Sequence, residues 1–402
     1  MMLPKTSTLT TILALGSSLA QAATMQPTHK KSATAVRKLI FSGPELVHTA
    51  DFDGTNITIT SQNVTLGAVA SWMRYKPGTN LLYGNNENGN NLNLFTLNED
   101  RTSTAFVTSA AGSSGVVFYE FTQDGKYMVA PAYGEGTVDI WDVSAVDGTP
   151  KLLKTITIEG SLGPGQESHH PHEAVLEPTG RFMLINDLGG DRVLVLDTQD
   201  AKFDIVNNFT LTAGFGPRHG GYIQTNGTTY YALACELASQ LILFKLDYTD
   251  PTGLGLIKLS NQSTYGPYPP ADPSTAAAGE LQVASNNRDI YVSNRLTGNS
   301  TGDNIAHFKF DAKNGGELVF ADMVSSYGIL PRMFSLSLDE TIVFVANQAG
   351  DTGILALSRD PETGTIAAGP LAAIPNEALI PPGMAGQSEI GPEFIQEIPV
   401  GK

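Results

Sequence analysis

The chain has 402 residues, of which 41% are hydrophobic and only 16% are charged, a balance that excludes a largely disordered protein. Its 24 basic and 40 acidic residues give a formal net charge of −16. Nucleic acids and anionic membrane surfaces both select basic protein faces, so we expect neither as a partner.

Residues 1–22 have the pattern of a secretory signal peptide. Lys5 precedes the apolar stretch Leu9–Leu19, which is too short to span a bilayer, and Ala20-Gln21-Ala22 is a small-x-small cleavage signal. We therefore predict a secreted, extracellular protein. Residues 23–37 would form a leader or propeptide, and residues 38–402 a single domain.

Six Asn-x-Ser/Thr sequons agree with passage through a eukaryotic secretory pathway. We predict N-glycans on some of them: Asn56, Asn63, Asn208, Asn226, Asn261 and Asn299. The only cysteine, Cys235, has no disulfide partner, so a secreted chain of this kind needs a large core or a closed topology for its stability. We expect Cys235 to be a buried apolar thiol.

One unit recurs beyond the leader: an apolar strand, a turn, a second apolar strand, a polar turn and a third apolar strand. The residues that follow successive second strands are separated by 45, 55, 49, 59 and 53 positions, and they are Glu87, Ala132, Asp187, Glu236, Arg295 and Gln348. Repeats of this length, built from about four short strands, are typical of β-propeller blades.

Six blades are explicit in this pattern, and a seventh is divided between the two ends of the chain. Its strands would come from Leu39–Phe41, Leu46–Asp51 and Ile57–Thr60, with Phe394-Ile395 as the innermost strand. We therefore predict an all-β, seven-bladed propeller whose last blade is closed by N-terminal strands plus a C-terminal strand, which removes the open sheet edge. A stack of β-sandwiches is the alternative fold.

Two columns of the repeat point to one end of the central channel. A column is the set of residues that one loop contributes from successive blades. The two loops are the one before the innermost strand and the one between the second and third strands. The first column is Trp72, Val117, His172, Arg218-His219, Glu280, Arg332 and Glu393. The second column is the set of six residues that follow the second strands.

The two columns place three arginines, Arg218, Arg295 and Arg332, in one mouth of an acidic protein. Carboxylates, imidazoles and an amide share this mouth: Glu87, Asp187, Glu236, Glu280, His172, His219 and Gln348. Guanidinium forks bind oxygens, and carboxylates or imidazoles transfer protons, so we predict a small anionic or carbonyl-bearing ligand. The competing interpretation is structural, with Arg295 and Glu236 in ion pairs between blades and Asp187 forming a turn.

Several segments, taken in order, resemble the lactonase family of seven-bladed propellers, which includes bacterial-type 6-phosphogluconolactonases and fungal carboxy-muconate cyclases. The segments are Gln166–His172, Asn186–Arg192, Gly214–His219, Glu236-Leu237, Ser293–Arg295, Pro331-Arg332 and Ala346–Gln348. The resemblance implies that the catalytic groups are His172, Arg218, Glu236 and Arg295, with no metal or other cofactor. The columns add predicted substrate contacts: Glu87, Asp187, His219, Glu280, Arg332 and Gln348.

One segment departs from the family pattern. Where many members carry a Pro-Cys-His-like segment, this chain has Val116-Val117-Phe118. The more apolar mouth argues against a phosphorylated sugar lactone, and so does secretion, since such a lactone is a cytosolic metabolite.

Three functions remain open from the sequence. The first is a secreted lactonase that hydrolyses a sugar-acid lactone or another carboxylated lactone. The second is a muconate-type lactonising isomerase, which needs the same carboxylate clamp and proton donor. The third is a non-enzymatic propeller that binds a glycan or a protein, although only Trp72 and Phe118 could offer aromatic stacking at the mouth.

Overall fold

The computed structural model describes residues 36–64, 69–299, 302–384, 387 and 389–400. The predicted signal peptide and nearly all of the predicted leader lie outside this part of the chain. Seven four-stranded antiparallel sheets follow one another around an axis, so the predicted seven-bladed propeller is confirmed. No helix within the described residues is long and apolar enough to cross a membrane.

The described chain enters the propeller through three antiparallel strands of a blade that is completed only at its other end. These strands are β1 (Arg37–Gly43), β2 (Leu46–Phe52) and β3 (Ile57–Val64). Each of the three contains the strand expected from the sequence and is longer than it.

Blades 1 to 3 each begin at their innermost strand and proceed outward. Blade 1 consists of β4 (Met73–Tyr75), β5 (Leu81–Asn85), β6 (Asn91–Leu97) and β7 (Thr104–Ala111). Blade 2 consists of β8 (Glu120–Phe121), β9 (Tyr127–Ala132), β10 (Thr137–Asp142) and β11 (Lys151–Thr157). Blade 3 consists of β12 (Pro171–Leu176), β13 (Phe182–Asp187), β14 (Arg192–Asp197) and β15 (Asp204–Thr210).

Blades 4 to 6 repeat the same order. Blade 4 consists of β16 (Pro217–Thr225), β17 (Thr228–Cys235), β18 (Gln240–Asp247) and β19 (Gly255–Ser263). Blade 5 consists of β20 (Ala277–Val283), β21 (Asp289–Arg295), β22 (Asn304–Asp311) and β23 (Glu317–Ser325). Blade 6 consists of β24 (Ile329–Leu336), β25 (Ile342–Ala349), β26 (Thr352–Ser358) and β27 (Ala372–Pro375).

Short 3-10 turns occur at Gln199–Ala201, Lys313–Gly315, Asn376–Ala378 and Pro382–Met384. The final strand, β28 (Ile395–Ile398), pairs with β1 and completes blade 7 in the order β28-β1-β2-β3. The predicted closure by both chain ends is therefore present, and each sheet has a neighbour on both sides.

The burial pattern explains why the second strands were the easiest to recognise. Every residue of β5 and β13 is buried, because neighbouring blades cover both faces of a central strand. The outermost strand β3 instead alternates between partly buried and exposed residues, because its outer face meets solvent. Cys235 is fully buried at the end of β17, as expected for an apolar thiol.

Four innermost strands carry a β-bulge at residues of the first column. The strand register shifts at His172 in β12, Arg218 in β16, Gly279-Glu280 in β20 and Arg332 in β24. The prediction that these residues lie in the loop before the strand is therefore wrong in detail. A bulge re-aims the side chain of its extra residue while the strand stays anchored in the sheet.

Candidate active site

Glu236 holds two arginines of the mouth together. Its Oε2 lies 2.8 Å from Arg218 Nε, and its Oε1 lies 2.9 Å from Arg295 Nη2. Glu236 follows β17, whereas Arg295 ends β21 of the next blade, so the carboxylate joins blades 4 and 5. Burial would raise the pKa of Glu236, but the charges of Arg295 and Arg218 outweigh it and lower that pKa.

A second cluster joins blades 6, 7 and 1. Arg332 Nη2 lies 2.5 Å from Glu87 Oε2, and Arg332 Nη1 lies 2.9 Å from Glu393 Oε2. Gln348 Nε2 donates to Glu393 Oε1 at 2.9 Å. Burial raises the pKa of Glu393 to about 7 despite the nearby arginine, whereas the charge of Arg332 overcomes burial at Glu87 and lowers its pKa.

His172 is a neutral imidazole at this mouth. Burial, followed by the charges of Arg218, His219 and the other arginines, holds its pKa well below the usual value of 6.5. Its Nδ1 is buried and has no hydrogen-bond partner among the described residues. An unprotonated ring of this kind can accept a proton at neutral pH.

His219 and Glu280 lie beneath the mouth with a third group, Glu173. His219 Nδ1 is 3.3 Å from Glu173 Oε1 and 3.5 Å from Glu280 Oε2, and all three side chains are buried. Burial raises the pKa of Glu280 to about 8 and that of Glu173 well above its usual value. Glu173 was not predicted from the sequence, although its position directly after His172 on an innermost strand could have indicated it.

Tyr133 is another mouth residue that the sequence analysis missed. Its ring is stacked on His170 at 4.2 Å between centroids and meets the His172 ring edge-to-face at 5.7 Å. Burial and the charge of Glu236 raise its pKa, so the phenol keeps its proton. Tyr133 directly follows Ala132, the apolar member of the second column, and this position is the sequence signal that could have indicated it.

Asp187 bonds groups of its own blade and is fully buried. Its carboxylate lies 2.8 Å from His169 Nδ1 and 3.0 Å from Arg192 Nε, and it accepts the His170 backbone N–H at 3.0 Å. The structure thus gives Asp187 partners other than the arginines of the mouth. These bonds hold His170 where its ring can stack on Tyr133.

Aromatic rings form the floor of the mouth. Trp72 packs on Phe118 at 4.3 Å between centroids and on Phe394 at 5.3 Å, and all three rings are at least nine-tenths buried. The His219 ring lies 5.6 Å from Trp72. Phe118, in the segment Val116-Val117-Phe118 that departs from the family pattern, therefore contributes to an apolar base beneath the charged groups.

Two of the arginines at the mouth have buried N–H groups without a hydrogen-bond acceptor. Within the described residues, Arg218 Nη1 and Arg295 Nε are buried and make no hydrogen bond. Burial and, next to it, the charge of Arg295 lower the pKa of Arg218 to about 10. Buried donors of this kind usually have a partner, so a ligand oxygen is the expected acceptor.

The described residues contain no group of three or more His, Cys, Asp or Glu side chains placed to hold a metal ion. The described side chains at the mouth supply guanidinium, carboxylate, imidazole and phenol groups.

Every blade contributes a side chain to the mouth, which defines the class: a seven-bladed propeller with one polar, enzyme-like site at an end of its channel. A family model described as "Lactonase, 7-bladed beta-propeller" matches residues 34–373. The chain belongs to this lactonase family, and the resemblance noted from the sequence is confirmed. Membership implies a small-molecule lactone as substrate.

The chain is similar to several known proteins. It is 25% identical over 334 residues to a "Probable 6-phosphogluconolactonase" of Arthroderma benhamiae, covering 81% of this chain and 82% of that protein. The periplasmic gluconolactonase of Pseudomonas aeruginosa superposes with a TM-score of 0.73 and 21% identity, over 91% of this chain and all of that one. A Lactobacillus plantarum protein gives a TM-score of 0.71 at 22% identity, over 90% and 100% of the two chains. At these identities the two structures support the fold alone.

Proposed function

We propose that this protein hydrolyses a sugar-acid lactone or another carboxylated lactone at the mouth of its channel. The observation that carries the proposal is the pair of buried donors without acceptors, Arg218 Nη1 and Arg295 Nε, at the mouth that also holds the neutral imidazole of His172. Donors fixed in advance stabilise an oxyanion because they need no reorganisation when negative charge develops.

In the proposed reaction, water adds to the lactone carbonyl carbon and His172 takes a proton from that water. The carbonyl oxygen becomes an oxyanion, which the guanidinium groups of Arg218 and Arg295 stabilise. The ring C–O bond then breaks, and the imidazolium of His172 returns its proton to the leaving alkoxide. The product is a hydroxy acid, which ionises and releases one proton to the solvent.

Glu236 serves this reaction best by orienting the arginines. Its lowered pKa keeps it ionised, so it is a poor proton donor at neutral pH, and both of its oxygens are already engaged by guanidinium groups. His172 Nδ1, in contrast, has no hydrogen-bond partner among the described residues. Arg218 and Arg295 keep further donors for the substrate because Glu236 occupies only one side of each fork. We therefore assign the proton transfers to His172.

Of the two other functions, the glycan-binding propeller receives less support. Trp72 and Phe118 are buried against each other, so at the described mouth they leave no open ring on which a glycan could stack. An isomerase would use the same residues but would add a carboxylate across a double bond without water.

Secretion and N-glycosylation are part of the same proposal. Five sequon asparagines are exposed, namely Asn56, Asn208, Asn226, Asn261 and Asn299, and Asn63 is partly buried. This exposure allows attachment of a glycan. An extracellular site would meet lactones present in the medium.

The test is proton release from a panel of aldonolactones and muconolactones by the purified protein and its Arg295→Ala variant. We expect catalysed release from at least one lactone and a loss of about 10²–10³-fold in the variant, as when an oxyanion donor is removed. Arg181→Ala is the matched control, because Arg181 forms an exposed ion pair with Asp197. Turnover no faster than the spontaneous rate, or full activity of Arg295→Ala, would overturn the proposal. Ring opening that yields an alkene would favour the isomerase.

A further inference from the structure

We infer that a cavity beside the reaction centre is a subsite for the uncharged, hydroxylated tail of the lactone, and that it discriminates against a phosphorylated tail. This inference rests on the proposed function, because it concerns the part of the substrate that the arginine pair does not hold. The cavity has a volume of about 350 Å³, and its lining includes Gly43, Glu87, Asn88, Arg332, Gln348 and Glu393. It lies where blades 6, 7 and 1 meet.

The groups in this cavity suit hydroxyl recognition. A hydroxyl both donates and accepts hydrogen bonds, so it can donate to Glu87 or Glu393 and accept from Arg332, Asn88 or Gln348. Glu393 is 92% buried, since its exposed fraction is 8%. Its Oε2 lies 2.9 Å from Arg332 Nη1 but accepts no hydrogen bond of proper angle from any residue that the structure describes. A donor from a ligand would satisfy that oxygen.

The charges of the cavity oppose a phosphate. Arg332 already faces two carboxylates, at 2.5 Å and 2.9 Å, so its charge is compensated before any ligand arrives. A phosphate dianion beside Arg332 would also lie beside Glu87 and Glu393, and like charges at such distances repel strongly when they are shielded from water. The cavity is large enough for a hydroxylated or a phosphorylated tail, so charge and not size decides which tail binds.

The charged groups of the cavity and those of the reaction centre affect each other's pKa values. Arg332 helps to lower the pKa of Glu236, and Arg218 helps to lower that of Glu87. In this proposal the substrate places its carbonyl at Arg218 and Arg295 and its tail at Arg332, all three of which belong to the same mouth. Recognition of the tail then sets the orientation of the carbonyl.

The first experiment is calorimetric binding of the two reaction products, D-gluconate and 6-phosphogluconate, which requires no turnover. We expect gluconate to bind at least about tenfold more tightly, because the phosphate would meet Glu87 and Glu393, which share the single positive charge of Arg332. Equal binding, tighter binding of the phosphorylated acid, or no binding of either acid would overturn the subsite.

The second experiment compares kcat/KM for D-glucono-1,5-lactone and its 6-phosphate in the unaltered protein and in Glu87→Gln. Removing one carboxylate charge should shift the ratio about tenfold toward the phosphate. Glu99→Gln is the matched control, because it removes the same charge from an exposed turn at the other end of blade 1. An unchanged ratio in Glu87→Gln would contradict the inference. Catalysis that favours the phosphorylated lactone would overturn the subsite but leave the lactonase proposal intact. Failure to hydrolyse any lactone would overturn the lactonase proposal, and the binding of the two acids would then decide whether the cavity selects against a phosphate.

Discussion

The arginines of the mouth differ in what they can offer a ligand. Arg332 is compensated by two carboxylates, whereas Arg218 and Arg295 share the single carboxylate of Glu236. The unshared positive charge is therefore concentrated at Arg218 and Arg295, beside His172, whose pKa it helps to hold down. This imbalance gives the pair its proposed role at the carbonyl.

Replacing Arg218 with lysine tests whether catalysis requires the planar guanidinium group at this position or only its positive charge. Lys cannot keep the bond to Glu236 and present a further planar donor at the same time, so kcat/KM should fall about 10²-fold while folding is retained. Steady-state kinetics and a thermal melt of the same sample would show this. Arg181→Lys should leave kcat/KM unchanged, and an Arg218→Lys variant of full activity would refute the requirement.

Glu280 should make stability depend on pH. Its pKa is raised from 4.5 to about 8, so the folded state retains a proton that the unfolded chain loses. This contribution to stability is fully present below pH 4.5 and is lost as the pH rises toward about 8, with a size on the order of a few kcal/mol. Glu173 acts in the same direction.

Glu280→Gln keeps the shape of the side chain and removes this titration. The melting temperature of the variant should therefore decline less between pH 5 and pH 8 than that of the unaltered protein. Calorimetric melts across this range measure the difference, and Glu99→Gln should follow the unaltered curve. Parallel declines for Glu280→Gln and the unaltered protein would mean that Glu280 is ionised in the folded state.

At the scale of elements, the repeat predicted the strands better than it predicted side-chain direction. The second strands were recognisable because they are buried on both faces, as in β13, and their end residues mark one face of the propeller. The bulges in the innermost strands could not be seen, because a single extra residue leaves the apolar pattern almost unchanged. Tyr133 and Glu173 were missed for a related reason, since each stands one position beyond the residue that the repeat selected.

Blade 7 takes its strands from both ends of the described chain, so we predict that β28, which closes it, contributes to the stability of the propeller. Ile395 of β28 is fully buried where this strand pairs with β1, so Ile395→Ala should reduce the free energy of unfolding by about 2–5 kcal/mol. Chemical denaturation measures the loss. Val400→Ala, at a residue that is 58% exposed near the same chain end, should change it by less than about 0.5 kcal/mol. Equal effects of the two substitutions would show that β28 does not contribute to closure.

At the scale of the whole molecule, a closed ring of seven blades accounts for stability without disulfides. Cys235 is buried and unpaired, and the two ends of the described chain meet in one sheet. The fold was predictable because the repeat extends through most of the chain, whereas the substrate was not, since it depends on how side chains from seven blades meet. The structure brings Arg218, Glu236 and Arg295 together and gives Asp187 other partners.

The proposed secretion and glycosylation can be tested on the intact protein. Expressed in a eukaryotic host, it should appear in the medium without residues 1–22 and should lose mass on treatment with an N-glycosidase. Replacing Asn226 with glutamine should remove one glycan, because Asn226 is exposed in the turn between β16 and β17. N-terminal sequencing and mass spectrometry test both points. A cell-retained protein of unmodified mass would contradict them.

The most direct test of the central claim is lactone turnover in ¹⁸O-labelled water, with mass analysis of the product. If the mouth catalyses hydrolysis, the product carboxylate should gain one ¹⁸O atom per turnover, and the catalysed rate should fall at least about 10²-fold in Arg295→Ala. Product formed only at the spontaneous rate, or formed rapidly without the label, would contradict the assignment of this propeller as a lactone hydrolase.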